Sequence, residues 1–186
     1  MKKLIDVIES RGAGLDKRTA DRFFGDVLDK TRDIKNMIGF SKKVLKEISG
    51  ELTSDENKTL EALVNNPQRM FDKRSQIYLK SMEGEGQKYY FCEFTLMCQN
   101  MPNSIKKLLS TEIIKRNMKS LPKAKYTGVG SNFSGWGNTT TAVVYISLTD
   151  DMLVLVDFIK YVLKAIEPIK DDILNYHDNE ADERSY

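Results

Sequence analysis

The residues able to do covalent or metal chemistry are few. His177 is the one imidazole and Cys92 and Cys98 are the two thiols. Together they fall short of the four ligands of a closed structural zinc site. A Ser-His or Cys-His pair needs a positioned base, and His177 sits in an acidic terminal stretch that is expected to fray. Carboxylates are the remaining option. Glu93 projects from an otherwise apolar run, where burial would raise its pKa or a basic partner would pair it. Asp150, Asp151 and Asp157 are close in sequence. A metal nuclease would gather such groups, but Asp150 and Asp151 read better as helix-start residues favoured by the helix dipole. The pairs Gly128-Val-Gly130 and Gly135-Trp-Gly137 suggest a phosphate loop. A Walker loop needs Gly-Lys-Ser/Thr opening a helix; here a strand follows and no lysine does. No catalytic residue, cofactor or metal ligand is assigned, and the balance leans away from an enzyme.

Binding chemistry is better represented. The chain carries 29 basic and 27 acidic side chains, a net +2 that hides a segregation: residues 101–150 balance at +5 and residues 151–186 at −5. The basic block is Lys106, Lys107, Lys115, Arg116, Lys119, Lys123 and Lys125, followed by Phe133 and Trp136 in a Gly/Ser/Asn-rich stretch. Cations that neutralise phosphates beside aromatic rings that stack on bases would make a nucleic-acid surface. An acidic protein, or the chain's own acidic tail, would suit the same cations. The plainer reading is a solvated helix face, with Glu112 placed to pair with Lys115 or Arg116. Residues 128–137 read as a flexible hairpin loop, with Trp136 at its tip as an interface anchor.

The elements that would position these groups follow from hydrophobic period. A long helix is expected over 16–48, with a seam of Ala20, Phe24, Val27, Thr31, Ile34, Ile38, Ser41, Leu45 and Ile48. Its 4,3 spacing must be covered by this chain or by a second copy in a coiled coil. Thr53-Ser54-Asp55-Glu56 starts a second helix, and residues 68–82 are expected to resume a helix after Pro67. A turn at 83–86 precedes a strand over 88–98, apolar on both faces and so central in its sheet. Cys92 and Cys98 lie six residues apart in that strand, roughly 20 Å, too far for a mutual disulfide. Pro102 opens a helix to about Ser120. Strands at 126–134 and 139–148 pair as a hairpin. The final helix is capped by Thr149 or Asp150 and kinked at Pro168.

This order gives an α+β fold: a helical region over 1–86 with a long amphipathic helix, then a β-α-β-β-α region over 87–186 with a small, mainly antiparallel sheet and an acidic tail. Asp6 and Glu9 interrupt any signal peptide, and the most apolar run, Met152 to Ile166, carries three charges. A cytoplasmic protein is expected. The functional expectation is a non-enzymatic interaction or regulatory protein with a protein partner; an accessory or inhibitory protein of a mobile element would suit these features. The alternatives are a nucleic-acid-binding protein using the basic 106–125 segment and a metal-dependent enzyme using carboxylates. A homodimer through the 20–48 helix is the expected self-association.

Overall fold

The computed structural model describes residues 34–66, 74–84, 86–118 and 128–176. The N-terminal part of the expected long helix (16–33), the region around Pro67, the 119–127 connection and the tail from His177 lie outside the described residues.

Helix α1 (Ile34–Ile48) ends in a 3-10 turn, Ser49–Glu51. Helix α2 (Ser54–Val64) begins where expected. Thr53 accepts a hydrogen bond from the Glu56 N–H, and Glu56 accepts one from the Thr53 N–H in return. This reciprocal cap satisfies donors a helix start leaves open. The Asn57 amide donates to the carbonyls of Ser49, Leu52 and Thr53, tying α2 to the end of the 3-10 turn.

The helix expected over 68–82 is overturned in its described part: Gln76–Gly84 is strand β1. Its side chains alternate. Ile77 and Leu79 enter the core cluster, whereas Tyr78 and Lys80 are buried on the opposite face. An alternation with both sides buried reads as a continuous apolar run and hides its period of two. The Gly84–Gln87 turn closes a tight hairpin to β2 (Gln87–Gln99), with Gly86 at φ 76°. Strand β2 is buried on both faces, as expected.

After β2 come α3 (Asn103–Leu108) and α4 (Thr111–Asn117), then β3 (Gly128–Trp136) and β4 (Thr139–Thr149). Helix α5 (Met152–Ile166) continues through a 3-10 turn at Glu167–Ile169 into α6 (Lys170–Leu174). Pro168 sits in that turn, at the expected break. The cap of α5 is Asp151 rather than Thr149 or Asp150: its carboxylate accepts from the Leu153 N–H at 2.8 Å. Thr149 supports this by accepting from the Asp151 N–H.

The described strands form an antiparallel sheet in the order β1-β2-β4-β3, so the protein is α+β. One sheet face carries Cys92, Phe94, Leu96, Val144 and Ile146, all fully buried against α1, α2 and α5. The rings of Phe94 and Phe158 lie 6.1 Å apart at the centre of this layer. The other face buries Tyr78, Tyr89, Phe91 and Met97, with Tyr78 and Phe91 tilted against each other. The described part of the expected seam, including Ser41, Leu45 and Ile48, is buried within this chain. Among the described residues no helix is long and apolar enough to cross a membrane.

Candidate interaction surface

The basic segment is built on two short helices instead of the expected single helix to Ser120. The buried residues are Ile105, Leu109, Ile114 and Met118. Their spacing of four, five and four cannot stay on one stripe of a continuous helix. The chain re-registers at Ser110, which takes extended dihedrals (φ −69°, ψ 147°) and opens α4. Pro102 precedes α3, and its carbonyl accepts from the N–H groups of Ile105 and Lys106.

This anchoring turns the cations outward. Lys107, Lys115 and Arg116 are exposed and Lys106 is half-buried. Glu112 is exposed on the same helix and pairs with neither Lys115 nor Arg116. Among the described residues none of these four cations takes part in an ion pair. The plainer expectation of local pairing is therefore not realised.

The fold brings α5, which carries cations of its own, to the end of α3. The Tyr161 hydroxyl donates to the Leu108 carbonyl at 2.8 Å, locking the end of α3 onto α5. Lys160 lies beside Tyr161 in sequence and Lys164 one turn further, also without ion pairs among the described residues. Sequence reasoning missed both because they belong to a block that is acidic overall. Their positions next to Tyr161 on α5 were the available signal. On the other side, α4 is held to β3 by a 2.9 Å hydrogen bond between the hydroxyls of Thr111 and Ser131.

The acidic groups of α2 and α6 are drawn together elsewhere. Lys170 reaches Asp55 at 3.9 Å and Glu167 at 3.8 Å, with Asp171 and Asp172 exposed beside it.

The aromatic part of the expected surface changes. The strand expected over 126–134 is present in its described part as β3, paired with β4 along its length and extending to Trp136, so the flexible-loop reading of 128–137 does not hold and only Gly137 and Asn138 make the turn. Gly137 has φ 57° at the first central position, where a type II′ hairpin places glycine. Phe133 is half-buried and packs against the core, so its ring is not a mobile stacking platform. Trp136 ends β3 opposite Thr139. Lys119, Lys123 and Lys125 lie outside the described residues.

The chemistry-bearing residues are dispersed. Glu93 stands between Tyr78 and Tyr145 in the sheet register. Burial and the nearby Glu93 charge push the Tyr145 hydroxyl pKa up. Cys92 and Cys98 are free and buried, and burial pushes both thiols up, Cys92 well above 9.0. Asp151 is a helix cap and Asp157 is exposed on α5. Among the described residues no group of three or more His, Cys, Asp or Glu could hold a metal ion. No family model, curated protein or solved structure matches this chain.

Proposed function

We propose that this protein is a non-enzymatic interaction protein that docks an acidic macromolecular partner, a protein surface, on the face formed by α3, α4 and the Tyr161 side of α5. The observation that carries this reading is the set of solvent-facing cations without ion pairs, Lys107, Lys115, Arg116 and Lys164, held on elements whose inner faces are fully buried. Desolvated opposite charges across an interface give orientation and a fast, salt-sensitive encounter. The acidic α2–α6 corner opposes any long polyanion wrapping the whole molecule and favours a compact partner.

Nucleic acid is the second reading. The same cations support it, since phosphate neutralisation needs neither base contacts nor stacking rings.

The test is fluorescence anisotropy with a poly-glutamate peptide and with labelled single- and double-stranded oligonucleotides, for wild type, Lys115→Glu/Arg116→Glu and Lys160→Glu/Lys164→Glu. Salt-sensitive peptide binding that both double variants weaken roughly tenfold is expected. Oligonucleotide binding that is tighter than peptide binding, with a logarithmic salt slope of about −0.9 per phosphate, would move the assignment to the second reading. Binding unaffected by both variants would overturn the surface.

A further inference from the structure

The sheet has two buried faces, and the described elements cover only one. Every described helix packs on the first face: Val44, Leu60, Ile105, Ile114, Phe158 and Ile173, one from each, join Phe94 in the core cluster. Tyr78, Tyr89, Phe91 and Met97 on the opposite face stand outside that cluster, yet they are between 1% and 3% exposed. A sheet face of this kind is hidden from water only beneath another apolar layer. These exposures are those of a single chain, so the cover belongs to the same chain and lies outside the described residues.

Length and composition select it. Residues 67–73 offer two large apolar side chains, Met70 and Phe71, and must also join α2 to β1. Residues 119–127 offer Leu121 and Tyr126, and residues 177–186 offer Tyr186. Residues 16–33 carry Phe23, Phe24, Val27 and Leu28, which with Ala20 make one helical stripe. Residues 4–8 are apolar too, but only 16–33 adjoins α1.

Helix α1 borders the covered face: Lys80, buried on it, lies 5.3 Å from the centre of the Phe40 ring. Ser41 meets Leu79, and Glu47 meets Lys88 at the hairpin end, so α1 runs alongside β1 toward the turn. Ile34 therefore lies about 10 Å back from Ser41, about level with Gln76. A straight helix continued before Ile34 would leave the sheet, whereas a chain folded back there would cross the second face. As a helix, residues 16–33 would span about 27 Å, close to the roughly 30 Å of the nine-residue β1. Asp33 stands directly before Ile34, and aspartate is a favoured residue for starting a helix anew.

We infer that residues 16–33 are an amphipathic strap of this chain, folded back from Ile34 across the Tyr78–Phe91 face, in place of the expected straight continuation of α1. Phe23, Phe24, Val27 and Leu28 form its apolar side. The core cluster on the first face does not include the residues beneath it. The strap is thus the displaceable part of the fold: it lifts from the aromatic face while α1, α2 and α5 stay packed. This assignment does not depend on the basic face.

The test is nitration of the full chain with tetranitromethane, located residue by residue by mass spectrometry, for wild type, Phe23→Asp/Phe24→Asp and Val27→Asp/Leu28→Asp. Tyr89 and its neighbour Tyr90 lie on opposite faces, and Tyr90 belongs to the core cluster, so it is the internal comparison. In the wild type Tyr78 and Tyr89 are expected to be as protected as Tyr90. Each double variant should speed nitration of Tyr78 and Tyr89 roughly tenfold or more, because burial of one such side chain is worth about 1.5–3 kcal/mol, and should leave Tyr90 unchanged. Rapid nitration of Tyr78 and Tyr89 in the wild type, or protection indifferent to both variants, would overturn the inference. So would loss of protection at Tyr90 in step with Tyr89 in both variants, which would make 16–33 part of the common core. Protection that rises with protein concentration would assign the cover to a second copy and overturn it as well.

Discussion

The β1 and β3 edges solve the same physical problem in opposite ways. On β1 a helix lies along the strand and a serine side chain stands in for the missing neighbour. Lys80 lies 5.3 Å from the centre of the Phe40 ring, and the Lys88–Glu47 ion pair pins the hairpin end to α1. On β3 one hydroxyl pair, Thr111 with Ser131, holds α4 near the strand, and the turn-proximal half faces solvent. The first edge is closed by residues buried for stability. The second leaves its turn-proximal half without a backbone partner among the described residues. Where a fold leaves hydrogen-bonding capacity exposed is thus informative about partners, even where no side chain advertises one.

The largest expected effect breaks the closed edge. Ser41 is 2% exposed and satisfies both the donor and the acceptor of Leu79. Ser41→Ala would orphan both groups in a buried place, at about 2–3 kcal/mol. Urea denaturation with an unchanged m-value checks it. A loss below about 0.5 kcal/mol would mean that packing of Val44, Leu45 and Ile48, and not the serine, closes this edge.

A smaller effect is expected at the open edge. A Cβ on Gly130 would lie 2.0 Å from Cζ of Tyr145, whose ring lies across the glycine from the neighbouring strand. Gly130→Ala must push the ring aside, at about 1–2 kcal/mol. In a Tyr145→Ala background the same change should cost little. This coupling is measured by a double-mutant cycle. Additive losses would place the defect in the β3 backbone and not in the ring.

Legibility in the sequence differs in the same regional way. Thr53 and Glu56 announced α2, Asp150–Asp151 announced the start of α5 to within a residue, and the 88–98 run, apolar on both faces, announced a central strand. Each signal is local, a cap or a burial pattern. Strand β1 was not legible, because Ile77-Tyr78-Leu79 is apolar without visible alternation and becomes a strand by pairing with β2. The 126–134 strand and its pairing with 139–148 were legible, but the glycine-rich stretch also read as a flexible loop: small residues advertise flexibility, whereas Gly130 is there to admit a ring from β4. On the candidate surface, the cations of 106–116 were visible as a block. Lys160 and Lys164 were not, since only the Tyr161–Leu108 hydrogen bond reveals their neighbourhood. The open half of the β3 edge left no trace at all, because an unpaired backbone becomes a property only once the strand order is known.

The smallest effect concerns what holds the hairpin end on the closed side. The hydrogen bond from Lys88 to Glu47, with Tyr90 and Glu83 adding attraction, holds the ammonium above its usual 10.5 against a smaller opposing effect of burial. The folded state therefore keeps this proton longer than the unfolded chain. The stabilisation is complete below pH 10.5 and fades as pH rises through the folded value. The buried Cys92 thiol acts in the same direction but earlier, because the unfolded thiol ionises near its usual 9.0 while the folded one resists. Stability should thus decline in two stages on the alkaline side. Lys88→Met should shrink the upper stage alone, leaving the share that Tyr90 and Tyr145 contribute, and cost less than about 1 kcal/mol at neutral pH, since both partners are partly solvated and such pairs are weak. Thermal melts at pH 7, 9 and 11 separate the stages. An upper stage unchanged by Lys88→Met would assign it wholly to Tyr90 and Tyr145, whose hydroxyls burial also pushes up. The alkaline sensitivity would then belong to the sheet interior and not to the closed edge.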